Sequence, residues 1–426
     1  MFASLIRAWA LSLVRVFFPT RAVGGVERVP VVGPVVVVAN HPNGLLDPLV
    51  LRLALGRPVA FLAKSTFWDN LFFRRCVDAF GALPVYRAHE ADTAQNEATF
   101  GRAHALLRGG GWLALFPEGK SHDATTLQPL KTGAARIALG AGVPVTVLPV
   151  GLCFEAKEVF RSGVTVAVGV PLRVEPGDPD DRAAVQALTR RMGDALGEVV
   201  LQAEDAAVWR GLLAVAAWSG AADPVSREAR ARALAARWRS LLADDPAAAE
   251  AVADDVRSFA RALREVGVAD PLAVEAAEPV SQVGPLVTLA LVAPVALVGA
   301  VLAWVPYRLV RPAAARMAGG AVDIVGTVKL LLGFSVLGLT YAAWAGAAAV
   351  VAAPAGPGAA SFAALGMLIF GPLTGWAAVV YAERLALRRE ALRGIGVRLF
   401  SPQVALELAD RRRELAARVE AALAGG

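Results

Sequence analysis

Charge is scarce in this sequence. Of 426 residues, only 19% are Asp, Glu, Lys or Arg, whereas 56% are hydrophobic. Soluble domains carry about 25% charge, so part of the chain is expected to lie in lipid. Cysteine is rarer still. Cys76 and Cys153 are the only two, with no Cys-x-x-Cys spacing, and there are four histidines. That excludes a disulfide framework and argues against a structural zinc site; no metal site or bound cofactor is expected. No Gly-x-Ser-x-Gly elbow, phosphate loop or dinucleotide fingerprint is present, which removes the commonest hydrolase and nucleotide-binding readings. The net charge is +6, but no basic run of the nucleic-acid type accompanies it. An anionic membrane surface or a phosphorylated substrate is the expected partner, and nucleic acid is not.

What is present falls into blocks. Residues 2–18 place Phe2, Leu5, Ile6, Trp9, Leu13, Val16 and Phe17 at helical spacing. Arg7 and Arg15 interrupt the apolar stretch, and no small-residue cleavage site follows, so a signal peptide is not the expected reading. An interfacial helix over residues 1–20 is expected, with a helix of the catalytic core as the alternative. Residues 21–175 alternate short β-branched runs (Val35–Ala39, Trp112–Phe116, Val145–Val150, Val164–Val168) with helical stretches (Asp92–Arg108, Thr132–Leu139). Alternation of this kind predicts an α/β layer architecture. Gly109-Gly110-Gly111 is punctuation between a helix and a strand.

Residues 176–280 turn to Ala, Arg, Asp and Glu. Asp-Pro pairs at 178–179, 223–224, 245–246 and 270–271 mark helix starts, so a helical linking or docking region is expected. Val283–Tyr307 and Leu330–Ala382 contain no charge. About 20 apolar residues span a bilayer. Residues 281–382 are therefore expected to hold two or three membrane segments, with a turn at Pro354–Gly358. Pro285, Pro294 and Pro306 leave open whether the first segment crosses or forms a re-entrant hairpin. Arg308, Arg311, Arg316 and Lys329 between the segments, and the basic helical tail of 383–426, should be cytoplasmic. A re-entrant first segment would keep the catalytic region on that side too.

The chemistry concentrates where Val35–Ala39 runs into Asn40-His41-Pro42-Asn43-Gly44-Leu45-Leu46-Asp47-Pro48. A histidine at a strand end sits in a loop on a rigid support. Neutral imidazole accepts a hydroxyl proton, and a carboxylate on its other nitrogen fixes the tautomer. Asp47 can be that carboxylate, or it can simply cap the helix that Pro48 opens. Three further segments join this one: Phe80-Gly-Ala-Leu-Pro-Val-Tyr-Arg87, Phe116-Pro-Glu-Gly-Lys-Ser-His-Asp123 with Pro129-Leu-Lys-Thr-Gly133, and Leu148-Pro-Val-Gly151.

Together, in this order, the segments resemble the four blocks of the glycerolipid acyltransferase superfamily. The nearest branch resembles the yeast-type glycerol-3-phosphate and dihydroxyacetone-phosphate acyltransferases. That branch shares the longer spacing between His41 and Asp47, the Ser-His-Asp at 121–123, Phe160-Arg161-Ser162 and C-terminal membrane segments. The resemblance implies an α/β acyltransferase domain, a mixed sheet flanked by helices, followed by a helical region and transmembrane helices. It implies transfer of an acyl group from acyl-CoA or acyl carrier protein to glycerol phosphate or a lysophospholipid at a bilayer. The catalytic residues would be His41 and Asp47. Arg87 would hold the substrate phosphate, or else form a surface ion pair. Glu118 and Gly119 would form the glycerol-binding turn, Glu118 alternatively bracing backbone amides. Lys64, Ser121 and Lys131 would complete the substrate site. His122-Asp123 is a rival His–Asp pair, although adjacent side chains rarely face each other. A catalytically inactive membrane scaffold is the contrasting reading.

Overall fold

A computed structural model of the chain describes residues 2–86, 96–221, 223–276 and 279–424. Its helices are α1 Phe2–Phe17, α2 Leu46–Leu55, α3 Leu71–Ala79, α4 Asn96–Arg108, α5 Gly133–Leu139, α6 Arg182–Gly197, α7 Ala206–Trp218, α8 Pro224–Asp244, α9 Pro246–Glu265, α10 Pro271–Ala276, α11 Pro279–Leu302, α12 Trp304–Met317, α13 Val322–Ala352, α14 Pro357–Phe400 and α15 Pro402–Ala424. Its strands are β1 Arg21–Gly24, β2 Val35–Ala39, β3 Ala60–Lys64, β4 Leu83–Val85, β5 Trp112–Leu115, β6 Val145–Phe154, β7 Val164–Val168 and β8 Leu172–Val174. The residues divide into two compact units. One comprises 1–213, 221–235 and 321–327; the other comprises 214–220, 236–320 and 328–426.

The first unit is built on a mixed sheet of order β1-β7-β6-β2-β5-β3-β4, with β8 alongside β6. Helices flank the sheet, as the α/β pattern predicts. Parallel strands buried on both faces read as continuous apolar runs, and β2 (Val-Val-Val-Val-Ala) is buried throughout. β2 lies parallel between β5 and β6, with Val38 level with both Leu115 and Pro149. β3 and β4 continue the parallel set beyond β5, whereas β7 and β8 run antiparallel to β6. The carboxyl ends of β2, β3, β4 and β5 therefore share one edge of the sheet. β6 continues to Phe154, past the expected end at Val150, because Val150–Phe154 pair with β7.

Val36, Leu113 and Val147 of the sheet form one core with Ile137 of α5 and Leu188, Met192 and Leu196 of α6. α6 thus belongs to this core, and the packed unit continues past residue 175. The Asp-Pro signals are uneven. Asp223, Asp245 and Asp270 each accept amides of the helix they open. Asp178 instead closes a turn on Asp180, and Asp181 caps α6. In α1, Val14 and Phe17 are buried while Phe2 and Leu5 stay exposed.

Among the described residues, three helical stretches are long and apolar enough to cross a membrane: Ser281–Leu302, Val322–Ala355, whose first residues belong to the first unit, and Pro357–Phe400. Pro285 and Pro294 lie inside α11, which does not turn back on itself at either one. Neither proline breaks the helix there; proline is tolerated within apolar helices when neighbours satisfy the freed carbonyls. α11 and α14 approach closely at Gly299, where a Cβ would lie 1.9 Å from the Thr374 carbonyl oxygen. Gly371 and Gly375 of α14 make room for Tyr341 of α13. Small residues that let backbones approach are how helices associate in lipid.

Candidate active site

The loop after β2 and the loop after β5 meet at the carboxyl edge of the sheet, because Val38 and Leu115 pair just before each strand ends. Asn40 fixes the first loop. Its amide accepts from Leu152 N at 2.7 Å and donates to Leu152 O at 3.0 Å, extending the β2–β6 ladder through a side chain. His41 follows. Its Nδ1 lies 2.8 Å from Asp47 Oδ2. A carboxylate only accepts, so Nδ1 carries the proton and Nε2 is left as the basic nitrogen.

The five residues between His41 and Asp47 are absorbed by a turn. Gly44 adopts φ +47°, a left-handed conformation suited to glycine. Asn43 N donates to Asp47 Oδ2 at 2.7 Å, and Leu46 N donates to Asn43 O. α2 begins at Leu46 with no side-chain cap. Asp47 therefore sits inside its first turn, facing His41, and does not cap the helix. The carboxylate is completely buried, and burial pushes it up from its ordinary value. The bond to His41, that ring's charge, the Asn43 amide and Lys157 oppose the rise.

Glu118 comes from the β5 loop and is also buried. One carboxylate oxygen accepts from His41 N at 2.8 Å; the other accepts from Gln128 N at 3.0 Å. His122 Nε2 lies 2.8 Å from that second oxygen. Both oxygens thus have protein donors, as the bracing alternative requires, and a carboxylate keeps further lone pairs for an acceptor hydroxyl. The His122 backbone in turn donates to His41 O at 3.1 Å. The rival pair does not form: the His122 ring faces Glu118, and Asp123 pairs with Lys157.

The remaining described candidates lie in the loop after β5 or at the end of β3. Gly119, at φ +78°, turns the loop, and a Cβ there would lie 2.6 Å from Lys131 Nζ. Lys131 is itself exposed, and Ser121 is half-buried on the same loop. Lys64 ends β3, half-buried and level with Val85. Arg87 lies outside the described residues. Sequence reasoning missed Phe116, whose ring stacks on His41 with centroids 4.1 Å apart and planes 14° from parallel. It also passed over the strand-extending role of Asn40. Both residues stand inside the motif blocks, so their positions were a usable signal. Cys153 is buried, and burial pushes its thiol well up, which disfavours the nucleophilic thiolate. Among the described residues no group of three or more His, Cys, Asp or Glu is placed to hold a metal ion.

Comparison with known proteins singles out the same stretch of chain. Residues 20–152, the stretch holding both loops, match the family model described as Acyltransferase. An uncharacterized acyltransferase of Schizosaccharomyces pombe is 26% identical over 295 residues, covering 46% of this chain and 44% of that protein. Glycerol-3-phosphate O-acyltransferase 2 of Saccharomyces cerevisiae is 33% identical over 125 residues, 27% of this chain and 17% of that one. A 1-acyl-sn-glycerol-3-phosphate acyltransferase of Borreliella burgdorferi is 27% identical over 151 residues, 35% of this chain and 59% of that one. The chain thus spans less than two thirds of the length of each of these relatives.

Proposed function

We propose that residues 20–152, which match the family model described as Acyltransferase, act as an acyltransferase domain and that the chain transfers a fatty acyl group from a thioester to a hydroxyl of glycerol-3-phosphate or dihydroxyacetone phosphate. The supporting observation is His41 Nδ1 at 2.8 Å from a buried Asp47 at the carboxyl edge of the sheet. Nε2 of His41 takes the proton of the acceptor hydroxyl, and the oxygen attacks the thioester carbonyl. The tetrahedral intermediate collapses with loss of the thiolate, which takes the proton back from the imidazolium. An ester and a free thiol result. Asp47 holds the ring and offsets its transient charge, as the carboxylate does in serine hydrolase triads. General-base assistance of this kind is worth roughly 10²–10⁴ in rate.

The donor is acyl-CoA or acyl carrier protein. Arg87 is the candidate phosphate ligand, with Lys64 and Lys131 adding positive field at the same side of the domain. A lysophosphatidate acceptor is the second reading, favoured by the name of the Borreliella relative. We place the catalytic unit on the cytoplasmic face, where acyl thioesters are found, with the bilayer receiving the apolar helices and the exposed end of α1.

The deciding experiment supplies membranes containing the protein with acyl-CoA or acylated acyl carrier protein and each acceptor in turn. Acylated glycerol-3-phosphate or dihydroxyacetone phosphate is the expected product. Acylation of lysophosphatidate alone would replace the first acceptor by the second. No acylation of any acceptor, with either donor, would leave the scaffold reading.

A further inference from the structure

The His41 loop is gripped from a second direction, by groups outside the four motif blocks. Lys157 lies on the turn between β6 and β7, with its side chain 17% exposed. Its ammonium donates to Pro42 O at 2.8 Å and to His122 O at 3.2 Å, and it pairs with the Asp123 carboxylate. An ammonium has three donors, so all three are spent tying the residue after His41 to the His122-Asp123 turn.

Asp123 passes the tie onward. Its Oδ2 accepts from Val322 N at 3.1 Å, the first residue of α13. A carboxylate is well placed at a helix start, where amides are free and the dipole is positive. The same helical turn presses on the catalytic loop. A Cβ on Gly326 would lie 2.8 Å from both Asn43 Oδ1 and the Lys157 carbonyl oxygen, and 3.1 Å from Leu46 Cδ1. A Cβ on Gly44 would lie 3.3 Å from Asp323 O. Asn43 meanwhile donates through Nδ2 to Lys157 O and through its backbone to Asp47. The first turn of α13 therefore touches the residues that hold Asp47 against His41. Residues 321–327 pack within the first unit, although they lie far beyond the family-matched stretch.

We propose that Lys157 and the first turn of α13, through Gly326, are positioning elements for the His41–Asp47 pair, so that the catalytic site is completed by a segment outside the acyltransferase domain proper. The proposal rests on the acyl-transfer reading. The contacts of both elements run to the protein. They act by fixing the 42–47 turn, and a displacement of about 1 Å in such a turn can cost about 10² in rate.

Three variants of the full-length protein in membranes test this. Gly326→Ala puts a methyl against a carbonyl that cannot rotate away. Lys157→Met removes the ammonium and keeps the stem. Gly338→Ala, on the same helix, meets nothing within 4 Å and is the control. In Gly326→Ala and Lys157→Met, kcat should fall about ten- to a hundredfold with KM within twofold of the parent. Hydrogen–deuterium exchange should rise over residues 42–47 and stay parental over β2, β5 and β6. Gly338→Ala should match the parent in every respect. Parental kcat in both test variants overturns the proposal, and so does faster exchange spread over the whole first unit. A parent that acylates nothing defeats the reaction, while the exchange pattern still decides whether the clamp exists.

Discussion

At the scale of single residues, the proposed reaction gives His41 and Asp47 the chemistry and Glu118, Asn40 and Phe116 the task of holding them in place. The two classes should respond differently to substitution. His41→Ala removes the base and should lower kcat by about 10²–10⁴ without changing the circular dichroism spectrum or KM for the acceptor. Glu118→Ala strands the part-buried amides of His41 and Gln128, at a cost of up to about 1–3 kcal/mol for each unsatisfied group. It should lower the unfolding temperature as well as activity, as thermal denaturation followed by tryptophan fluorescence would register. A fall in activity at parental thermal stability would return Glu118 to substrate contact. The thiols offer a further check. Burial raises the thiol of Cys76 and, more strongly, that of Cys153, so N-ethylmaleimide at neutral pH should leave acyl transfer unchanged. Stoichiometric inactivation would reinstate a covalent cysteine route.

At the scale of elements, water-exposed and apolar helices are stabilised by different means. α9 starts in water at Asp245, whose carboxylate accepts from Ala248 N at 3.0 Å. Asp245→Ala should cost about 1 kcal/mol, measurable as a small drop in the thermal midpoint. Membrane helices have no hydrophobic drive between them and depend on close fit. Gly299 of α11 abuts the Thr374 carbonyl, whereas Gly284 of the same helix has nothing within 4 Å. Gly299→Ala should therefore lower the thermal midpoint of detergent-solubilised protein by several degrees, and Gly284→Ala should not. Equal midpoints would mean that the α11–α14 approach does not hold the second unit together.

At the scale of the whole molecule, the question is on which side the catalytic unit works. The apolar stretches predict that the protein stays in the pellet after alkaline carbonate extraction. Orientation can be read in a Cys76→Ser background by placing a cysteine at exposed Arg190 of α6 or at Arg413 of α15 and labelling intact cells with an impermeant maleimide. Protection of both positions is expected for a cytoplasmic catalytic unit beside a cytoplasmic basic tail. Labelling of Arg190→Cys would overturn the cytoplasmic placement of the catalytic unit.

By itself the sequence determined the layer class, the apolar helices and the loops where chemistry gathers. Those features are local: a run of valines that must be buried, a charge-free stretch that must leave water, and a histidine ending a strand beside a carboxylate. It also exposed the Asp-Pro helix starts, though not which aspartate would cap α6. Only the tertiary structure decided the assignments that depend on residues distant in the chain. Asp47 turns to His41 and away from its helix because Gly44 bends the loop. Glu118 is occupied because His41 and Gln128 converge on it from separate segments. α6 joins the sheet core, and the start of α13 reaches Asp123. No spacing or periodicity encodes such meetings, since a hydrogen bond depends on distance in space and a motif records only distance along the chain.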